Sequence, residues 1–214
     1  INVGLVGSEM CIRDSFLGMD QAADKLRSGN TGDNPFKKKE VRQALYQAID
    51  IEAIKKKVMR GLSEPAGIIT FPGVNGYTQD LDKRLPYDVD AAKKLLADAG
   101  YPKGFDVELR CPNDRYVNDE AICTAVVGML GKIGVNVNLF AQTKSKHFKE
   151  LKEDKGDFYM LGWGVPTLDS HYVFHYLYES GASWNKVNFS NSEVDAAIRI
   201  MEGEVNLDKR NAAI

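Results

Sequence analysis

Hydrophobic and polar residues follow two different periods in the middle of this sequence. Hydrophobic side chains alternate with polar ones over residues 105–111, which is the pattern of a half-buried β-strand. Residues 122–133 place hydrophobic side chains at helical spacing, and Gly134 ends that helix. A second alternating segment follows at 135–139. This order predicts two parallel strands joined by a right-handed helical crossover.

The same spacing rules predict secondary structure on both sides of this unit. Asp50 and Asp88 stand where N-caps would begin two helices, and the run 190–193 (SNSE) is predicted to be a capping box. Further helices are predicted at residues 41–49, 51–58, 89–99, 148–151, 169–180 and 194–201, and a strand at 158–163. Residues 64–82 are predicted to be a long irregular connection with at most one short strand near 68–71. We therefore predict an α/β fold whose mixed, mostly parallel sheet is flanked by helices.

Composition excludes several classes of protein. The chain has 214 residues, with 28 Lys plus Arg against 30 Asp plus Glu and a net charge of −2. No basic domain is present, so a nucleic-acid partner is not expected. The hydrophobic stretches fall short of the roughly 18 residues needed to cross a bilayer. We see no linker that would divide residues 30–214 into separate folding units.

The motifs of common enzymes are missing from the sequence. It contains no GxSxG nucleophile elbow, no GxxxxGK[ST] phosphate loop and no GxGxxG dinucleotide fingerprint. We predict that the protein is not an enzyme and has no cofactor. An α/β enzyme of unrecognised type and a purely structural interaction module are the alternatives from other classes.

Two histidines could form a metal site. His171 and His175 are four residues apart, so a helix would place both imidazoles on one face, with Asp169 and Glu179 near them as oxygen ligands. The pair lacks the glutamate of an HExxH motif, and aromatic residues surround it, which equally fits packing or a ligand-lined wall. A receptor for a metal or a metal chelate is therefore kept as an alternative function.

Cys111 and Cys123 could form a disulfide. They are separated by a predicted strand-to-helix turn, so the two side chains could meet there. The alternative is that both are small buried hydrophobic residues with free thiols. The residues alone leave this choice open.

Polar side chains at two strand ends suggest a binding site. Asn113, Asp114 and Arg115 follow one predicted strand, and the run 162–169, which contains Trp163, follows another. Ligands of parallel sheets bind at the carboxyl ends of strands, where an Arg can hold a carboxylate with a bidentate fork and a Trp can offer a stacking surface. The alternative is a surface Arg and a core Trp.

The two ends of the sequence differ from its middle. Residues 9–15 (EMCIRDS) are similar to the translation of an adapter used in DNA library preparation, so residues 1–15 are predicted to be non-native. A helical pattern begins at Leu207 and stops at the end of the chain. We expect a fold that is truncated at both ends.

Several segments together resemble the family 5 extracellular solute-binding proteins, the dipeptide and oligopeptide receptors of ABC importers. The resemblance covers residues 16–214. It rests on the segments NPFKKKEVRQALYQAIDIEAI (34–54), YDVDAAKKLLADAGYPKGF (87–105), CPNDRYVNDEAI (111–122), GKIGVNVNL (131–139), GDFYMLGWGVPTLD (156–169) and FSNSEVDAAI (189–198).

The resemblance implies a type II periplasmic-binding-protein-like fold of two lobes that close over a ligand, with residues 16–214 forming part of the second lobe. It implies that Arg115 binds the carboxylate of a peptide or another small solute, and that Trp163 lines the side-chain pockets. Pro166 stands where the family has an amine-binding Asp, a role that Asp169 could take over. The remaining predicted ligand contacts are Asn113, Asp114, Gly164 and Tyr172.

The resemblance also implies a location and partners. The protein would be a monomer outside the cytoplasmic membrane, in a periplasm or tethered to the cell surface, and would deliver its solute to the membrane-embedded subunits of an ABC importer. An oxidising compartment favours the disulfide between Cys111 and Cys123.

Overall fold

The fold is a four-stranded mixed sheet with helices on both faces. The computed structural model describes residues 14–214. Its strands are β1 (Asp14–Met19), β2 (Asp106–Pro112), β3 (Asn136–Gln142) and β4 (Phe158–Trp163). They lie in the order β1-β4-β2-β3; β1 is antiparallel to β4, whereas the β4–β2 and β2–β3 pairs are parallel. The predicted mixed, mostly parallel sheet is confirmed.

Most of the helices occur where the sequence predicts them. They are α1 (Lys39–Ala48), α2 (Ile51–Ala53, continued by a π-turn at Ile54–Val58), α3 (Val89–Asp98), α4 (Asp119–Gly131), α5 (Lys144–Lys152), α6 (His171–Val173, continued by a π-turn at Phe174–Tyr178), α7 (Ser192–Gly203) and α8 (Leu207–Ala213). Within residues 14–214, none of these helices has the length and hydrophobicity to cross a membrane.

The caps explain where the helices begin. The Asp50 carboxylate accepts the Ala53 N–H at 2.9 Å, as predicted from its position. At α7 the predicted cap is wrong by one residue, because the side chain of Asn191, not that of Ser190, accepts the N–H groups of Glu193 and Val194. The helix therefore begins one residue later than the predicted capping box implies.

One strand was missed. Asp14 and Ser15 begin β1, where they pair with Trp163 and Gly162. Every residue of β1 is buried, so the strand shows no alternation of polar and hydrophobic residues to detect. No strand forms at 68–71, where the sequence indicated at most a short one. Residues 1–13 lie outside the described part of the chain, and the non-native origin of residues 1–15 stays a prediction.

Alternate strand residues build two hydrophobic layers, one on each face of the sheet. In β4, Phe158 and Met160 point into the layer formed with α1, α3 and α4, whereas Tyr159 and Leu161 point into the layer shared with the π-turn after α6. Burial on both faces is typical of a parallel sheet covered by helices. The loops that follow β2 and β4 lie together at the carboxyl edge of the sheet.

A disulfide joins Cys111 at the end of β2 to Cys123 in α4. The two Cα atoms lie 6.6 Å apart, and both residues are fully buried. The disulfide closes a loop with a sequence separation of 12 residues, which includes Arg115 and the start of α4.

Candidate functional site

The loops after β2 and β4 meet through one tyrosine. The Tyr116 hydroxyl accepts a hydrogen bond from the Gly162 N–H at 2.8 Å. A Cβ atom at position 162 would lie 2.6 Å from the Tyr116 ring, so only glycine leaves room for this contact. Because β2 and β4 are parallel neighbours, their carboxyl ends lie at the same edge of the sheet. The two loops that the sequence predicted to share a site are therefore in contact.

A buried carboxylate shapes the first of these loops. One oxygen of Asp119 accepts the N–H groups of Arg115 and Tyr116, each at 2.9 Å, and the other accepts the N–H of Glu120 at 2.9 Å. Asn118 takes a left-handed conformation with φ of 55° just before the helix begins. Asp119 thus holds the backbone of Arg115 in place at the start of α4, and sequence analysis did not single it out.

Arg115 presents its charge to solvent. Its side chain is exposed, and its guanidinium carbon lies 5.3 Å from the centre of the Tyr116 ring. Within residues 14–214, its guanidinium forms no ion pair. The backbone is fixed, and the guanidinium has no ion-pair partner among the described residues, which is the arrangement that an anion-binding group needs.

The neighbours of Arg115 have different roles. The Asp114 carboxylate accepts the backbone N–H of Lys144, the first residue of α5, and so helps to cap that helix. The Asn113 N–H donates to the carbonyl of Gln142 at 2.9 Å, and its side chain is exposed. The Asn113 side chain is therefore exposed, whereas Asp114 has a structural partner.

Four aromatic side chains form a cluster at the end of β4, here called the aromatic cluster: Trp163, Tyr172, Tyr176 and Trp184. The centre of the Trp163 ring lies 6.0 Å from that of Tyr172, 5.8 Å from that of Tyr176 and 6.0 Å from that of Trp184. The indole N–H of Trp163 is buried and has no acceptor within residues 14–214. Buried indole N–H groups usually find one, so this donor is an exception in the described part of the chain.

The loop after β4 does not offer a free carboxylate. Gly164 directly follows β4 and is itself half-buried. Pro166 lies in an exposed turn. Asp169 forms a bidentate ion pair with Arg210 of α8, at 2.8 and 2.9 Å. The Arg210 guanidinium lowers the pKa of Asp169 to about 2. The carboxylate is thus already matched by a cation of this chain and ties α8 to the loop.

The two histidines lie beside a glutamate from another helix. His171 Nε2 lies 3.4 Å from Glu202 Oε1, and His175 Nδ1 lies 3.2 Å from the same oxygen. His175 Nδ1 is also 2.9 Å from Glu179 Oε2. Asp169, which the sequence grouped with the histidines, instead pairs with Arg210. Glu202 was not predicted, since only the packing of α7 brings it here.

A cavity lies apart from these residues. It has a volume of about 420 Å³ and is lined by side chains that include Phe16, Tyr46, Tyr159 and Trp184. Apart from Trp184, it shares no residue with the aromatic cluster or with the loop that carries Arg115. This cavity is therefore distinct from the strand-end site.

Comparisons with known proteins give the family. The sequence profile of the bacterial extracellular solute-binding proteins, family 5 Middle, matches residues 15–185. Heme-binding protein A of Haemophilus influenzae is 31% identical over 189 residues, which are 85% of this chain and 34% of that protein. The dipeptide-binding protein of Escherichia coli is 30% identical over 166 residues, 76% of this chain and 31% of that protein.

Solved structures agree on the fold. The structure of AgaA from A. tumefaciens R10 in complex with agropinic acid has a TM-score of 0.77 and 26% identity, covering 93% of this chain and 40% of that one. The chain spans about a third of the length of the curated relatives that it matches. The predicted family and the predicted periplasmic-binding-protein-like fold are both confirmed. The chain belongs to family 5 of the bacterial extracellular solute-binding proteins.

Proposed function

We propose that this chain is part of the substrate-binding component of an ABC importer, which captures a peptide or another small carboxylate-bearing solute outside the cytoplasmic membrane. The observation that carries this proposal is Arg115, an exposed guanidinium without an ion pair in residues 14–214, on a backbone held by Asp119. Two forked N–H donors match the two oxygens of a carboxylate. The relatives named for dipeptides and for agropinic acid are consistent with such a ligand.

The site favours recognition of one end of the solute. Pro166 has no charge and no N–H, and the Asp169 carboxylate is paired with Arg210. Neither residue offers an unpaired negative charge to an ammonium group. A solute would therefore bind through its carboxylate at Arg115 and through apolar or aromatic groups against Trp163, with little contribution from a free amine.

The mechanism would be conformational. A solute that contacts both lobes of the complete protein stabilises the closed form by its differential affinity for that form. The membrane-embedded subunits of the importer would then recognise the closed monomer, in a periplasm or at the cell surface. No covalent chemistry is required.

The test is to purify the complete protein and to identify the co-purifying solute by mass spectrometry. Calorimetric titration with the dipeptide Ala-Phe, its C-terminal amide and its N-acetyl derivative then distinguishes the contribution of the carboxylate from that of the ammonium group. We expect the amide to lose most of the affinity and the N-acetyl derivative to keep it. Equal affinity for Ala-Phe and its amide would contradict the role of Arg115.

A further inference from the structure

We propose that His171, His175 and Glu202 form a binding site for one divalent transition-metal ion of the zinc class, with Glu179 as a fourth ligand. The two histidines lie on the helical segment formed by α6 and its π-turn, and Glu202 lies near the end of α7. Within residues 14–214, this is a group of three side chains whose ligand atoms all lie within 4.8 Å of one another.

The distances between the ligand atoms fit a tetrahedral ion. Bonds of about 2.0–2.1 Å to a tetrahedral zinc place neighbouring ligand atoms roughly 3.3 Å apart. Glu202 Oε1 lies 3.4 Å from His171 Nε2 and 3.2 Å from His175 Nδ1. A second carboxylate oxygen, Glu179 Oε2, lies 2.9 Å from His175 Nδ1. The ligand atoms of His171, His175 and Glu202 are close enough to face one point, and Glu179 reaches the group through its contact with His175.

Hydrogen bonds among these residues do not account for the arrangement. His171 Nε2 and His175 Nδ1 are both buried, and neither has a hydrogen-bond partner in the described chain, although a carboxylate oxygen is close to each. An imidazole–carboxylate pair held by a proton would need that proton to point at the oxygen. A bound cation requires each nitrogen lone pair to point at the ion, which lies off the line that joins the nitrogen to the carboxylate oxygen.

The type of ligand selects the type of ion. Two imidazole nitrogens with one or two carboxylate oxygens suit zinc, copper or nickel, whereas magnesium and calcium prefer oxygen ligands alone. Two carboxylates would also balance the charge of a divalent ion. We commit to zinc as the probe, since its preference for four ligands fits this set.

The ion would connect two elements that otherwise share few contacts near this point. The helical segment with His171 and His175 also carries Tyr172 and Tyr176 of the aromatic cluster. Glu202 lies near the end of α7, so a loop and most of that helix separate it from the histidines along the chain. A bound ion would therefore stabilise this corner of the fold, independently of the carboxylate site at Arg115.

The experiment is calorimetric titration of the complete protein, without a polyhistidine tag, with zinc chloride near neutral pH. We expect one zinc ion per chain and a rise in the melting temperature on binding. The variants Glu202→Gln and His175→Ala should each weaken binding by at least about 100-fold, since each removes a direct ligand. Glu202 is exposed, so its variant should keep the fold.

The matched control is Glu193→Gln, an exposed glutamate in the first turn of the same helix, which should bind zinc like the wild type. Cobalt(II) in place of zinc should give the intense visible absorption of a tetrahedral site in the wild type and lose it in Glu202→Gln. The proposal is overturned if the wild type binds no stoichiometric zinc, or if the ligand variants bind it as tightly as Glu193→Gln does. Binding of Ala-Phe is measured on the same variants by a separate titration. A failure of the proposed solute binding is therefore distinguished from a failure of the zinc site.

Discussion

The Tyr116 hydroxyl lies between the N–H and the carbonyl of Gly162, 2.8 Å from the nitrogen and 3.4 Å from the oxygen. This contact ties the loop after β2 to the end of β4. It joins the loop of Arg115 to the residue that precedes Trp163. The Tyr116 side chain therefore connects the two halves of the candidate site.

Removing this hydroxyl should destabilise the fold. We expect Tyr116→Phe to lower the free energy of unfolding by about 1 to 3 kcal/mol, because the buried N–H of Gly162 loses its partner. Urea unfolding followed by circular dichroism measures the change. Tyr87→Phe, which alters an exposed tyrosine, is the control and should have little effect. Equal stability of both variants would show that the hydrogen bond is not significant in solution.

Arg115 should dominate the binding of a carboxylate. We expect Arg115→Ala to weaken the affinity of the complete protein for its solute by about 2 to 5 kcal/mol, because the carboxylate loses its paired charge. Calorimetric titration measures the affinity. Arg199→Ala removes an exposed arginine on α7 and should leave the affinity unaltered. An unchanged affinity in Arg115→Ala would remove this residue from the site.

The ion pair between Asp169 and Arg210 should make stability depend on pH in the acid range. The pKa of Asp169 is held at about 2 in the folded protein, below its ordinary value of 3.8. The carboxylate therefore stabilises the fold above pH 3.8, and this stabilisation is lost as the pH falls through about 2.

We expect Asp169→Asn to cost about 1 kcal/mol at neutral pH, a modest value because the pair is partly solvated. The difference from the wild type should shrink as the pH is lowered from about 4 towards 2. Unfolding by urea at several pH values measures it, with Asp208→Asn as the control on α8. A difference that is constant down to pH 2 would argue against the ion pair.

The disulfide should stabilise the loop that carries Arg115. In a Cys11→Ala background, we expect the double variant Cys111→Ala and Cys123→Ala to lose on the order of 2 to 4 kcal/mol of unfolding free energy. Peptide mapping by mass spectrometry without a reductant should find the two cysteines linked. Addition of dithiothreitol to the unsubstituted pair should lower the stability in the same direction. Two free thiols in the oxidised protein would contradict the pairing.

The sequence was most informative where a single element carries its own signal. The alternation in residues 105–111 and the helical spacing in 122–133 predicted β2 and α4, and Asp50 predicted its helix start. These signals are local, because they depend on which side of one strand or helix faces the core. The completely buried β1 has no such signal and was missed.

The candidate site shows the same division. Arg115 and Trp163 could be named from the sequence, because the order of the elements places both at the carboxyl ends of parallel strands. Asp119 could have been noticed as an acidic residue in the first turn of a helix, a common capping position. Nothing local indicates that Asp169 is paired with Arg210.

The sequence by itself therefore determined the family, the α/β class and the strand-end position of Arg115, since periodicity and motif order are properties of the chain. The tertiary structure decided which charges are already paired and which side chains converge. Arg210 neutralises Asp169 from 41 residues away, and α7 brings Glu202 to His171 and His175. Such contacts arise from the packing of separate elements, and the distance between residues in space does not follow from their spacing along the chain.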